Sequence, residues 1–218
     1  MKYKEDKLGI ALVVSGPSGT GKSTICSVIT ERNSNLNFSI SCTTRKPRPQ
    51  EQHGTDYYFL SRTEFESKIE QGLFIEYAEV HGNFYGTLCS EIIDRVKDGK
   101  DVLLDIDVQG AMQIKEFSRH NEILASAAEY IFVAPPDLPT LEERLRSRAT
   151  EADEVIRMRL NNAKKELAQW RKYSYLIIND RLDDAVSQFQ MLYDILHLKT
   201  NKIKNVPFGN FTSGENEK

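Results

Sequence analysis

The chain has 218 residues, 39% hydrophobic and 28% charged, with 29 basic against 32 acidic side chains and a net charge of −3. That balance excludes a global basic field that would recruit nucleic acid, so any charge that binds phosphate must be local. Cys26, Cys42 and Cys89 are odd in number and widely spaced, and with four scattered histidines they indicate neither a disulfide framework nor a zinc site. The charged start Met1–Lys7 does not fit a signal peptide and the next apolar run is too short for a bilayer, so a cytoplasmic protein with no membrane or nucleic-acid partner is expected.

In chain order, Ile10–Ser15 predicts a strand whose lack of alternation fits a parallel sheet covered on both faces. It leads into Gly16-Pro17-Ser18-Gly19-Thr20-Gly21-Lys22-Ser23, then Thr24, which fits the phosphate-loop pattern G-x-x-x-x-G-K-[ST] in a strand–loop–helix setting. Glycines let successive N–H groups converge on a phosphate, and the following helix adds its N-terminal dipole. Lys22 is placed to reach the β- and γ-phosphates of a nucleotide, and the Ser23 hydroxyl to ligate Mg²⁺. A helix over Lys22–Arg32 and a strand over Phe38–Cys42 come next, then a polar loop kept extended by Pro47 and Pro49.

Tyr57–Leu60, Phe74–Val80 and Phe84–Thr87 read as short strands. A helix opened by the capping-box spacing Thr63 to Glu66 interrupts them, and Gly82-Asn83 is a hairpin turn candidate, so the region is a small α+β insertion. Ser90–Lys97 is a helix stopped by Gly99, and Val102–Asp107 a buried strand ending in carboxylates. Tyr130–Ala134 is a further strand. Leu138–Arg148 and Asp153–Trp170 are charged helices, Tyr175–Ile178 is the last strand and Leu182–Leu196 the last helix. Strands alternating with helices predict an α/β fold with a central, mostly parallel sheet.

Three groups of polar residues suggest chemistry, each with a plainer reading beside it. Arg45 and Arg48 offer guanidinium forks for a second phosphate, or form a solvated basic loop. Glu76 sits on a strand where alternation alone would turn it to solvent, and Asp107 fits a helix N-cap equally well. Arg144, Arg148 and Arg159 can converge across a helical turn, or belong to a salt-bridged surface helix pair with the neighbouring acids.

The ordered series Thr43-Thr44-Arg45-Lys46-Pro47-Arg48, Gly54-Thr55-Asp56-Tyr57-Tyr58-Phe59, Phe74-Ile75-Glu76-Tyr77-Ala78, Gly82-Asn83-Phe84-Tyr85-Gly86-Thr87 and Leu104-Asp105-Ile106-Asp107-Val108-Gln109-Gly110 strongly resembles guanylate kinases. The resemblance runs from about Gly9 to about Leu196. It implies a three-layer P-loop NTPase fold with an α+β GMP-binding insertion and a helical lid, and the transfer of a phosphoryl group from ATP to GMP or dGMP. It further implies one domain over residues 1–204, with the core at about 8–38, 88–138 and 170–200, the GMP region at about 39–87, the lid at about 139–169 and a flexible tail over 205–218. By the same resemblance Ser41, Glu76, Thr87 and Asp107 read the guanine, while Arg45, Arg48, Tyr57 and Tyr85 hold the GMP phosphate. ATP is held by residues 16–24 with Arg144 and Asn179, next to Asp180, and Lys22, Arg45, Arg148 and Arg159 are the catalytic set. Mg²⁺ is the cofactor, on Ser23, with Asp105 joining through water. Ala149 stands where family members often carry glycine. A non-catalytic interaction module, or a kinase for another phosphorylated acceptor, are the alternatives, and the sequence sets no oligomeric state.

Overall fold

A computed structural model describes residues 6–147 and 153–205. The chain runs β1 (Asp6–Lys7), β2 (Ala11–Ser15), α1 (Lys22–Arg32), β3 (Leu36–Phe38), β4 (Cys42–Thr43), β5 (Tyr58–Phe59), α2 (Arg62–Glu70), β6 (Phe74–Val80), β7 (Asn83–Leu88), α3 (Cys89–Lys97), β8 (Asp101–Asp105), α4 (Val108–Ser118), α5 (Glu122–Ala127), β9 (Ala128–Ala134), α6 (Leu138–Ser147), α7 (Asp153–Leu167), β10 (Tyr175–Ile178), α8 (Leu182–Leu196) and β11 (Ile203–Asn205).

The fold is α/β. Five strands form a central sheet in the order β10-β9-β2-β8-β3, and every pairing within it is parallel. The unbroken apolar run of β2 is divided by the pleat. Leu12 and Val14 join a core with Ile25 and Ile29 of α1 and Phe189 and Tyr193 of α8, while Ala11 and Val13 join a second core with Ile92 and Val96 of α3 and Ile114 of α4. The sheet is thus covered on both faces, giving three layers.

Residues between β3 and α3 form a separate four-stranded sheet in the order β5-β4-β7-β6. The expected single strand Phe38–Cys42 is divided between the two sheets: β3 ends at Phe38 and β4 starts at Cys42. Phe65 of α2 closes the small sheet, fully buried and stacked on Phe74 at 4.2 Å and Phe84 at 5.2 Å. That burial selects the helix start. The capping box is Ser61 with Glu64, not Thr63 with Glu66. The hairpin turn also shifts by one residue, because His81 and Gly82 adopt φ of 50° and 78° while Asn83 pairs with Val80.

Two side chains from core helices hold the edge strands of this sheet. Glu91 on α3 accepts from the Tyr58 hydroxyl of β5 at 2.9 Å and from the Ile40 N–H at 3.3 Å. Gln113 on α4 is bonded to β6.

At the opposite end of the central sheet, buried Glu129 receives Lys199 and buried Lys202, and β11 pairs with β1. Asn205, expected in the tail, is therefore a strand residue; the expectation for 206–218 lies outside the described residues.

Candidate active site

The phosphate-loop sequence connects β2 to α1 as its pattern requires. The loop is braced from within by the buried Thr20, whose hydroxyl donates to the Pro17 carbonyl at 3.0 Å. From outside, the Asn179 Nδ2 donates to the Thr20 carbonyl at 2.7 Å. Gly21 adopts φ of +82°, and a Cβ there would lie 2.4 Å from Asn179 Nδ2, so glycine is required on both counts. The loop encloses a cavity of about 360 Å³ lined by all nine residues from Gly16 to Thr24, with Asp105, Ile106, Asp107 and Glu166.

Inside it, Lys22 is ion-paired with Asp105, and the Ser23 hydroxyl donates to the Asp105 Oδ2 at 2.7 Å. Burial pulls the Lys22 ammonium below the usual lysine range, opposed by Cys26, Asp107 and Glu166.

A second cavity of about 300 Å³ lies between the small sheet and the end of β8, lined by Ser41, Tyr57, Glu76, Ala78, Val80, Tyr85, Gly86, Asp105, Ile106 and Asp107. Glu76, Ala78 and Val80 are alternate residues of β6 and share one face. Glu76 is buried at 8% exposure, contrary to the solvent-facing reading, because the neighbouring strand supplies a partner: the Thr87 hydroxyl donates to Glu76 Oε1 at 2.6 Å. Ser41 Oγ lies 3.4 Å from Thr87 Oγ1. Burial raises the Glu76 pKa, the Thr87 hydroxyl lowers it, and Asp107 raises it further. Asp107 serves as the N-cap of α4, its Oδ1 accepting from the Gly110 N–H at 2.8 Å, and it lines both cavities.

Arg45 does not line the second cavity, but its guanidinium lies 5.5 Å from the ring centroid of Tyr57, which does, and the Tyr57 and Tyr85 rings are 6.3 Å apart. Its guanidinium is engaged by Glu51 through two bonds of 2.8 and 2.9 Å. Glu51 also accepts from the Arg48 N–H at 2.8 Å, and these bonds hold its pKa down to about 2. The Arg48 side chain itself is exposed.

Of the arginines expected in a lid, Arg159 on α7 donates to the Ser18 hydroxyl of the phosphate loop at 2.5 Å. Arg144 on α6 grips the carbonyls of Asn179 and Asp180 at 2.8 and 3.0 Å. Arg148 and Ala149 lie outside the described residues. The salt-bridged helix pair exists as well, carried by Arg146 between Glu142 and Asp153.

Asp105, Ile106 and Asp107 are common to both cavities, so two pockets face each other across one strand end. One is built for phosphates, and the other presents a buried carboxylate with hydroxyls. A family model described as guanylate kinase matches residues 9–195 of this chain. The chain belongs to the guanylate kinase family. It is 47% identical over 197 residues to the guanylate kinase of Fusobacterium nucleatum, covering 90% of this chain and 99% of that one. It is 43% identical over 197 residues to the guanylate kinase of Clostridium tetani, covering 90% and 91%. The crystal structure of guanylate kinase from Anaplasma phagocytophilum matches with a TM-score of 0.70 at 32% identity, over 92% of each chain.

The guanylate kinase match runs from just before β2 into α8 and so spans both cavities, leaving β1 and β11 outside. Two residues were not singled out from the sequence. Glu166 reaches the phosphate cavity from α7, its pKa raised by burial and by Asp107 against the pull of Lys22. Glu51 braces Arg45. Glu166 gave no local signal, since it lies in a charged helix; Glu51 had one, three residues past Arg48 in an arginine-bearing loop.

Proposed function

We propose that this chain transfers the γ-phosphoryl group of ATP to GMP or dGMP in the cytoplasm, with ATP at the phosphate loop and the acceptor in the small-sheet cavity. The observation that carries this reading is the shared wall Asp105–Asp107, which sets a phosphate-binding cavity against one containing the buried Glu76. Three free cysteines, two of them buried, agree with a reducing compartment.

In this reading residues 39–87 are the acceptor region and 139–169 the lid. Guanine offers N1–H and an N2 amino group as donors and O6 as acceptor. Glu76 and Asp107 accept from the donors, with Ser41 and Thr87 completing the edge. Adenine would set its N1 lone pair against a carboxylate and leave buried groups unpaired, a mismatch worth roughly 10⁴ in discrimination. Arg45, Arg48, Tyr57 and Tyr85 hold the acceptor phosphate, and none of the assigned residues reads the ribose 2′-OH, which allows dGMP.

A nucleoside monophosphate is largely dianionic near neutral pH, because its second pKa is about 6, so no general base is required. The acceptor oxygen attacks the γ-phosphorus in line, and the chain contributes position and charge. The main-chain N–H groups of the phosphate loop and Lys22 hold the donor, and Arg159, already beside Ser18, and Arg148 meet the developing charge. Arg144 orders the Asn179–Asp180 segment beside the donor base. The Ser23 hydroxyl and the Asp105 carboxylate form a convergent pair of hard oxygen donors, which fits Mg²⁺ held directly by Ser23 and through water by Asp105. Mg²⁺ bound there supplies charge neutralisation on the β- and γ-phosphates.

The test is ADP release with ATP–Mg²⁺ and each of GMP, dGMP, AMP, CMP, UMP and dTMP. Turnover confined to GMP and dGMP is expected. Comparable turnover of AMP and GMP would sink the guanine-reading assignment.

A further inference from the structure

β6 is an edge strand of the small sheet, so the outward N–H and C=O groups along it lack a neighbouring strand. At Tyr77 both are satisfied. The Tyr77 N–H donates to Gln113 Oε1 at 3.1 Å, and the Tyr77 carbonyl accepts from Gln113 Nε2 at 3.1 Å. A carboxamide carries a donor and an acceptor side by side, as a peptide unit does. Gln113 therefore takes the place of one residue of a missing strand, and it does so from α4, whose Ala111 and Ile114 are rooted in the core of the central sheet.

Tyr77 directly follows Glu76, and the pairing of β6 with β7 shifts register between Phe74 and Glu76, so β7 alone leaves this point of the strand loosely specified. α4 starts at Asp107, which caps it. Gly110, one turn before Gln113, packs against Glu76: a Cβ at Gly110 would lie 3.1 Å from Glu76 Oε2. One helix thus carries Asp107 at its start, a close approach to Glu76 at Gly110, and a two-bond grip on the adjacent peptide at Gln113. The six steps from Asp107 to Gln113 rise by about 9 Å along a rigid rod.

We propose that Gln113 is a positioning residue for acceptor recognition: by docking the peptide groups of Tyr77 it fixes Glu76 relative to Asp107, so that both carboxylates address one purine edge. This rests on the assignment of Glu76 and Asp107 as guanine readers. Gln113 touches no substrate and acts through the backbone of β6.

Two variants of the full chain test it. Gln113→Met keeps the side-chain length and removes both bonds; Gln113→Glu keeps only the acceptor for the Tyr77 N–H. Steady-state constants are measured for GMP, for IMP, which lacks the N2 amino group, and for ATP, together with the melting temperature. Gln113→Met should raise the KM for GMP about tenfold and shrink the GMP-to-IMP ratio of kcat/KM several-fold, with the KM for ATP unchanged and Gln113→Glu in between. A lowered melting temperature with unchanged GMP KM and GMP-to-IMP ratio would overturn the proposal and leave Gln113 a structural tie. Glu76→Gln, measured alongside, separates the two ideas. If it leaves both GMP readouts unchanged, the guanine-reader assignment fails and this inference with it; if it alters them and Gln113→Met does not, only the inference fails.

Discussion

The Lys22 ammonium is ion-paired with the Asp105 carboxylate, whose other oxygen accepts from the Ser23 hydroxyl at 2.7 Å. The two chemically active side chains of the phosphate loop are thus held by one acid at the end of β8. Under the proposed assignment, donor phosphate oxygens would take the place of Asp105 beside a lysine that the carboxylate has already aimed. Lys22→Met should lower kcat at least about a hundredfold, as expected for a lost preorganised charge. The KM for GMP should stay within about twofold, because the acceptor cavity is not lined by Lys22. A parallel loss of GMP binding, read by titration calorimetry, would break the two-site division.

Glu76→Gln should exchange activity for stability. Loss of the charged acceptor should raise the KM for GMP about a hundredfold. Glu76 is buried and its pKa is raised above 4.5, so the folded chain binds its proton more tightly than the unfolded one. Its contribution to stability is fully present below pH 4.5 and is lost as pH rises through the raised value. Thermal melts from pH 4 to 8 should therefore show the variant gaining on the unsubstituted chain as pH rises. A variant less stable at pH 8 than at pH 4, relative to the unsubstituted chain, contradicts this.

Glu51 and Arg45 pose a two-sided question, since a carboxylate paired with an arginine proposed to bind phosphate either braces it or competes for it. The Glu51 carboxylate also accepts the Arg48 N–H, which marks it as part of the loop frame. Glu51→Gln should accordingly raise the KM for GMP several-fold. A lower KM would identify Glu51 as a competitor. The depressed pKa of about 2 means that this pairing is present above 4.5 and is lost only as pH falls towards 2, so it adds no limb to an activity profile taken between pH 5 and 9.

Gly21→Ala should injure the donor side alone. The φ of +82° and the approach to Asn179 together cost about 2 kcal/mol, which for a chain of this size lowers the melting temperature by about 4–8 °C. The KM for ATP should rise while GMP binding, measured without ATP, is unchanged.

Elements whose determinants are local were legible in the sequence. α1, β6, β10 and α8 have the bounds their residues suggest, because each is set by a motif, an apolar run or periodicity within its own length. Choices between two local signals were not. Ser61–Glu64 and Thr63–Glu66 both satisfy a capping box, and only the stacking of Phe65 between Phe74 and Phe84 decides between them. The division of Phe38–Cys42 is likewise invisible, because the run is continuous and the sheets that share it are assembled by residues far along the chain. The β1–β11 ribbon was missed for the same reason, being tied in through Lys202 and Glu129. At the site, Glu76 could be named from the resemblance, but its burial depends on Thr87 across the hairpin. Gln113 reaches β6 from 36 residues away, a relation no spacing rule encodes.

The wall Asp105–Asp107 has a consequence for redesign. A single stretch of three residues, about 7 Å from end to end, lines both cavities. The placing of the two cavities relative to each other is therefore a property of one strand end and the turn after it. Under the proposed assignment, a change at Ser41 or Glu76 would alter one cavity alone, whereas a change at Ile106 would alter both at once. Redesign for a different base therefore starts at Glu76 and meets its constraint at Asp107, which belongs to both cavities.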